Sequence, residues 1–344
     1  MSDLRWHPLL REWVTVAPWR QDRTYHPSAE FCPLCPTRPG GPETEIPEPD
    51  YHIAVFENRF PSYSGDQGGG AGEGLRPAAP GGSPPYPQGG GAGEGLRPAA
   101  PGGSPPYPRG GRCEVVCYTP VHESSLGEQS VAHIRDLIEV WSDRTEELSR
   151  LDGVRYVYVF ENRGEEMGVT LHHPHGQIYA YPFVPPVLER ELAASRDHLD
   201  RTGRCLYCDV LEAEVDGERV VARDQGWLAF VPPFNRWPYE VHLAPSAHLG
   251  LLPELTDSQA WSFAGILKDV LQRYDRLFGR PLPYVMAMHQ GPPGGGDHHH
   301  LHVEFYPPNR TADRLKYLAG SELGAGAFIV DARAEDGARE LREA

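Results

Sequence analysis

Two Cys-x-x-Cys pairs, each followed by a lone His, a helix-like stretch and a His-x-His, run through the chain in the same order. Whatever the chain folds into must therefore be built twice. The first series is Cys32 and Cys35, His122, then His173 and His175; the second is Cys205 and Cys208, His248, then His300 and His302. From the lone His to the His-x-His the step is 51 residues in one series and 52 in the other. From the second Cys to the lone His it is 87 against 40, and a 42-residue insertion explains nearly all of that difference. The insertion is itself a tandem repeat, because residues 68–88 (GGGAGEGLRPAAPGGSPPYPQ) recur at 89–109 with only the last residue changed. Each copy holds 7 Gly and 5 Pro and too few apolar groups to stack as a solenoid. That composition predicts a disordered insert at 68–109.

Around the insertion, YHIAVFENRFP, RCEVVCYTP, VRYVYVFENRG and GQIYAYPFVPP alternate or are aromatic-rich between turn residues, and they predict strands. Helical spacing runs over residues 130–150, 188–200 and 257–278. Strands and helices in separate runs predict an α+β fold. The repeat divides it into halves at residues 1–190 and 191–344, each ending its pattern in HxHx(Q/E).

A net charge of −16 argues against a basic protein that coats nucleic acid, although a few Arg in one cleft can still hold a phosphate. The charged, Trp-bearing opening lacks the apolar core of a signal peptide, and no window approaches the roughly 18 apolar residues of a membrane span. The expectation is a cytoplasmic protein with no membrane or nucleic-acid partner. In a reducing compartment, four of six cysteines in CxxC pairs point to metal before disulfide. Cys113 and Cys117, inside a strand-like run, read as buried small apolar groups.

TPVHESSL, FENRG followed by HPHGQI, FYPP and KYLAGSEL together resemble the galactose-1-phosphate uridylyltransferase family of the histidine triad superfamily. The likeness covers nearly the whole chain outside the insertion. It implies duplicated histidine-triad-like modules of mainly antiparallel sheet forming a half-barrel with flanking helices, a homodimer, and a role in galactose metabolism by the Leloir pathway. The implied reaction exchanges UMP between UDP-glucose and galactose 1-phosphate, ping-pong, through a uridylyl-histidine.

The chemistry of HPHGQ can be argued from the residues. A neutral imidazole is a good nucleophile at phosphorus near pH 7, which makes His175 the candidate nucleophile. Strand alternation puts His173, His175 and Gln177 on one face. The histidine triad hydrolases carry a His, able to protonate a leaving group, where this chain has Gln177. An amide donates a hydrogen bond to a phosphoryl oxygen but has no titratable proton. The leaving group must depart unprotonated, which suits a sugar phosphate and favours reversible transfer over hydrolysis.

By resemblance, Glu161 and Asn162 contact the nucleotide, Asn58 meets the uridine side, and Thr170 replaces a phosphate-contacting Ser. Arg20 and Arg23 match arginines near the phosphates. Lys316 and Glu322 match a terminal sugar-phosphate loop, in which Ser321 stands for the usual Tyr. Cys32, Cys35, His122 and His173 form a Cys2His2 set with the spacing of tetrahedral zinc. For a second metal, zinc or iron, the family's Glu and three His map onto Glu191, His289, His302 and Glu304. The internal repeat instead selects Cys205, Cys208, His248 and His300, which is preferred because thiolates and imidazoles recur at matching steps. Two other functions fit parts of the sequence: an adenylyltransferase of the ADP-glucose phosphorylase type, and a non-catalytic zinc-stabilised nucleotide-binding module. The intact His175 and Gln177 argue against the module.

Each doubling of a loop costs only about 0.6 kcal/mol in closure entropy, so an insertion of this length is thermodynamically tolerable. Deleting 68–109 is expected to leave the melting temperature and turnover unchanged or slightly raised. A collapse of either would show that the repeats pack or bind.

Overall fold

The structure, a computed structural model, describes residues 3–22, 24–63, 108–224, 226–295 and 298–344. The tandem insertion lies outside the described residues apart from Pro108 and Arg109, as does Arg23. A short hairpin of β1 (Asp3–His7) and β2 (Glu12–Val16) opens the chain, followed by β3 (Ala54–Glu57) and β4 (Arg112–Cys117). Helix α1 (Val131–Ser149) leads to β5 (Tyr156–Arg163) and β6 (His175–Tyr181), and then to α2 (Pro186–Thr202) and α3 (Leu206–Glu214). The second series is β7 (Val220–Arg223), β8 (Trp227–Phe230), β9 (Val241–Pro245), α4 (Asp257–Leu277), β10 (Tyr284–His289) and β11 (His302–Tyr306). A small ribbon, β12 (Asn309–Thr311) with β13 (Arg314–Leu315), and α5 (Ala334–Glu343) complete the chain.

One nine-stranded sheet in the order β3-β4-β6-β5-β10-β11-β9-β8-β7 carries the molecule, and every neighbouring pair in it is antiparallel. From its centre outward, β5, β6, β4 and β3 on one side answer β10, β11, β9 and β8 on the other. The join is β5 against β10, with Phe160 opposite Ala287 and Asn162 opposite Val285. The α+β class and the antiparallel sheet with flanking helices are what the sequence predicts. The expected junction at residues 190 and 191 falls inside α2.

The helices form where capping and apolar spacing agree. Ser130 caps α1 by accepting from the His133 amide, and Ile134, Leu137, Ile138 and Trp141 recur at i, i+3, i+4 and i+7 on its buried face. In α4 a Thr256/Gln259 capping box precedes a buried stripe that includes Phe263, Leu267, Val270 and Tyr274. Both stripes join one core cluster with strand residues such as Val159, Ile178, Leu243, Met286 and Phe305. The spans predicted over 130–150, 188–200 and 257–278 correspond to α1, α2 and α4. Helix α3 escaped the reading because its nine residues begin at the second CxxC, with Cys205 as the residue that precedes the first turn. No helix among the described residues is long and apolar enough to cross a membrane.

Alternation along β6 turns Gly176, Ile178 and Ala180 toward this helix-covered core, and it turns His175, Gln177 and Tyr179 the other way. Gly176 is required by space. A Cβ there would collide with the Tyr118 hydroxyl and lie 3.1 Å from the Phe160 carbonyl oxygen. Tyr118 is itself fully buried and donates to Glu161 at 3.4 Å. Gly176→Ala is therefore expected to cost about 1–3 kcal/mol, as overpacking does. Thermal melting checks this, and pairing the change with Tyr118→Phe should recover part of the loss.

Candidate active site and metal centres

A cavity of about 320 Å³ opens on the sheet face away from α1 and α4, and Arg20, Asn58, Asn162, Thr170, His175 and Gln177 line it. They come from four parts of the chain: the short 3-10 turn after β2, the loop after β3, the end of β5, and β6 with the loop before it. His175 is oriented by its own strand. Its Nδ1 lies 2.8 Å from the carbonyl oxygen of His173, a group that can only accept, so Nδ1 carries the proton and Nε2 the lone pair. Burial holds the imidazole below its ordinary pKa, which keeps that lone pair free near neutrality.

Gln177 is turned by two donors. Asn58 Nδ2 at 3.4 Å and the Tyr179 hydroxyl at 3.2 Å both approach its Oε1. With the carbonyl end engaged, the amide NH2 remains to donate to an oxygen in the cavity. Arg20 donates to Ser62 and, at 3.2 Å, to Tyr179. Tyr179, which holds both Gln177 and Arg20, is absent from the sequence-based set. Its position two residues beyond Gln177 on the same strand face was the available signal.

Three residues expected to contact substrate do not line this cavity. Glu161 and Asn162 are neighbours in β5, so alternation separates them: Asn162 lines the cavity, and Glu161 is buried on the opposite face between the hydroxyls of Tyr118 and Tyr284. Burial pushes the Glu161 carboxyl up to about 7 against the opposing pull of Arg163. Lys316 and Glu322 do not line the cavity of their own chain. The Lys316 ammonium is buried, donates to the Ile329 carbonyl and faces Glu322 at 3.5 Å.

Both Cys2His2 sets are brought together, each with one ligand atom per residue and all four atoms within 4.8 Å of one another. Cys35 Sγ lies 3.4 Å from His122 Nδ1 and 3.5 Å from His173 Nδ1. In the second set, Cys208 Sγ lies 3.6 Å from His248 Nδ1 and 3.4 Å from His300 Nδ1. Usual zinc bond lengths and tetrahedral angles put a ligand sulfur and nitrogen about 3.6 Å apart, so both sets fit that ion. The imidazoles are prepared alike: His173 Nε2 lies 2.8 Å from the Thr119 carbonyl and His300 Nε2 lies 2.8 Å from the Pro245 carbonyl, which leaves Nδ1 as the ligand in each. Burial lowers both rings to about 4, keeping them neutral as ligands must be. Burial and the adjacent Cys32 push the Cys35 thiol up to about 12, and burial and Cys205 do the same to Cys208. A cation at this point would supply the compensation that such crowded thiolates need.

The carboxylate set is assembled as well, at a different place. Glu191, His289 and His302 converge, with Glu191 Oε2 2.8 Å from His289 Nδ1, while Glu304 groups with His302 and His242. Burial opposes charge on His289, but Glu304 and Glu191 hold it up at about 9. The two candidate sets for the second half are thus separate features of one structure. The run His298-His299-His300 is buried throughout. Cys113 and Cys117 are both fully buried, as expected of small apolar groups.

The family model described as the N-terminal domain of galactose-1-phosphate uridyl transferase matches residues 106–185, and the C-terminal domain model matches residues 191–343. A galactose-1-phosphate uridylyltransferase of Thermotoga maritima is 39% identical over 346 residues, covering 100% of this chain and 98% of that protein. A solved uridylyltransferase structure superposes with a TM-score of 0.80 at 32% identity, covering 100% and 98% of the two chains. An ADP-glucose phosphorylase from Arabidopsis thaliana, with bound ADP-glucose, shares the fold at 23% identity with a TM-score of 0.69, covering 100% and 99%. With both domain models matched and this identity sustained over its whole length, the chain belongs to the galactose-1-phosphate uridylyltransferase family and is a transferase.

Proposed function

We propose that the enzyme moves UMP between UDP-glucose and galactose 1-phosphate by a ping-pong route through a uridylyl group on His175. The observation that carries this reading is the hydrogen bond from His175 Nδ1 to the His173 carbonyl, which leaves Nε2 unprotonated beside a cavity lined by Arg20, Asn162 and Gln177. Nε2 attacks the α-phosphorus of UDP-glucose, and the bond from that phosphorus to the glucose 1-phosphate oxygen breaks. Glucose 1-phosphate leaves as a phosphate dianion and needs no proton from the enzyme. The uridylylated ring then carries a positive charge, which the Nδ1–H bond to a carbonyl stabilises. A phosphate oxygen of galactose 1-phosphate displaces the imidazole, giving UDP-galactose and restoring the neutral ring. The free amide of Gln177 and the guanidinium of Arg20 stabilise the charge that develops on the phosphoryl oxygens. Asn58 positions Gln177, and Thr170 and Asn162 bound the cavity for the nucleotide.

The same reading places zinc at Cys32, Cys35, His122 and His173 and at Cys205, Cys208, His248 and His300. When bound, zinc supplies structural cross-links, since four protein ligands leave no open position. Two imidazoles and a carboxylate at Glu191, His289 and His302 suit iron or zinc. Residues 1–190 and 191–344 are read as homologous halves of one cytoplasmic enzyme. Tyr317, Leu323 and Ile329, exposed on the loop that Lys316 and Glu322 brace, support a homodimer.

Intact-mass analysis after UDP-glucose should show one added uridylyl group per chain, lost on adding galactose 1-phosphate. ADP-glucose with phosphate, run in parallel, should leave the mass unchanged. His175→Ala should abolish the adduct and lower turnover by roughly 10⁴-fold or more. An identical adduct in that variant would remove His175 from the role.

The second zinc set includes an exposed His248 and two half-buried cysteines, whereas three of the four ligands in the first are buried. A chelator should therefore release the second-half ion first. Cys205→Ser/Cys208→Ser should lower the zinc count by one per chain and keep His175 uridylylation. Metal analysis with intact-mass measurement checks both outcomes.

A further inference from the structure

His26, Glu165 and His172 meet in a cluster whose two histidines follow cavity-lining residues closely in the chain, and neither the zinc sets nor the chemistry of His175 uses them. His26 Nδ1 lies 2.7 Å from His172 Nε2, and Glu165 Oε1 lies 3.5 Å from each of those nitrogens. The two imidazoles stand at hydrogen-bond distance, so a tetrahedral ion at bond lengths of about 2.0–2.1 Å would require them to part by about 0.6 Å, with the half-exposed His172 ring free to give way. The carboxylate is more than half exposed and the His172 side chain 46% exposed, so an ion can enter from solvent.

The backbone holds His26 in place for this. It is one of two non-glycine residues among those described with a positive φ, at 46°, and its amide donates to the Thr170 carbonyl at 2.8 Å. A His in the left-handed region persists only where its surroundings fix it. The contact joins two segments that frame the cavity: Thr24 lines it just before His26, and Thr170 and Leu171 line it just before His172.

We propose that His26, Glu165 and His172 form an exchangeable site for a divalent transition-metal ion such as Zn²⁺ or Co²⁺, one that staples the segment after Arg20 to the loop carrying Thr170. Two imidazoles and one carboxylate select this class of ion over Mg²⁺ or Ca²⁺. Three protein ligands leave positions for water, so the ion is held more loosely than one enclosed by a Cys2His2 set. The site stands independently of the covalent role of His175.

The test uses the full-length enzyme with its tightly held ions in place and counted. Equilibrium dialysis against Co²⁺ should show one further ion per chain. Glu165→Ala should weaken that binding by roughly tenfold or more, with the melting temperature and the tight-ion count unchanged. His26→Asn should do the same, and Asn is chosen because it tolerates a positive φ. Glu165, exposed and outside the core, decides the matter if His26→Asn folds poorly. No further ion in the wild type would overturn the site, as would a further ion held equally by Glu165→Ala. A further ion lost instead in His289→Ala would assign the binding to the nest around Glu191.

Discussion

The hydrogen bond between His175 Nδ1 and the carbonyl of His173 is the contact on which the rest depends. It fixes the tautomer and the ring plane at once. The residue supplying that carbonyl is held from its other end, because the His173 imidazole is clamped between the Thr119 carbonyl and the Cys35 thiol. Side chain and backbone of one residue thus serve two purposes, which ties the geometry of the Cys2His2 set to the orientation of the His175 ring. Beneath them Gly176 lets Tyr118 approach the strand, and Glu161 holds that tyrosine. The pentapeptide HPHGQ therefore divides its labour: one residue is anchored, one points into the cavity, one makes room below, and one presents an amide.

Much of this was legible in the sequence because it depends on short periods. Alternation over His173, His175 and Gln177 needs only the two-residue repeat of a strand, and the paired Cys and His steps need only counting. The helices α1 and α4 announced themselves by apolar residues at helical spacing. What was hidden depends on which face a residue takes and on meetings across long separations. Resemblance placed Glu161 beside Asn162 at the nucleotide, but in a strand adjacent residues cannot share a face, and the carboxyl went to the core side. Lys316 and Glu322 pair with each other and do not line the cavity of their own chain, which linear order could not reveal. The meeting of His26 with His172 spans 146 residues and has no motif.

The second half repeats the device with different consequences. His302 Nδ1 lies 2.8 Å from the His300 carbonyl, just as in the first half. Where Gln177 offers an amide, however, Glu304 offers a carboxylate, and His242, His289 and His302 hold it well below its usual pKa against the cost of burial. A nucleophilic imidazole needs an open approach for an electrophile; here the corresponding nitrogen faces an anion at 3.3 Å. One substitution in strand position thus separates a face that presents a neutral amide from one that presents a buried carboxylate among imidazoles.

The antiparallel pairing of β5 with β10 at the middle of the sheet bears on how such a chain could have arisen. Cut there, each portion would expose a bare strand edge, which readily recruits another strand. Two copies of a single ancestral module related by a two-fold axis would bring the same strand of each together in this antiparallel sense, closing both edges at once. A covalent duplication would turn that concentration-dependent association into an intramolecular one. With the partner permanently attached, one of two equivalent histidine sites would be free to change, and asymmetry between the halves would follow from a symmetric beginning.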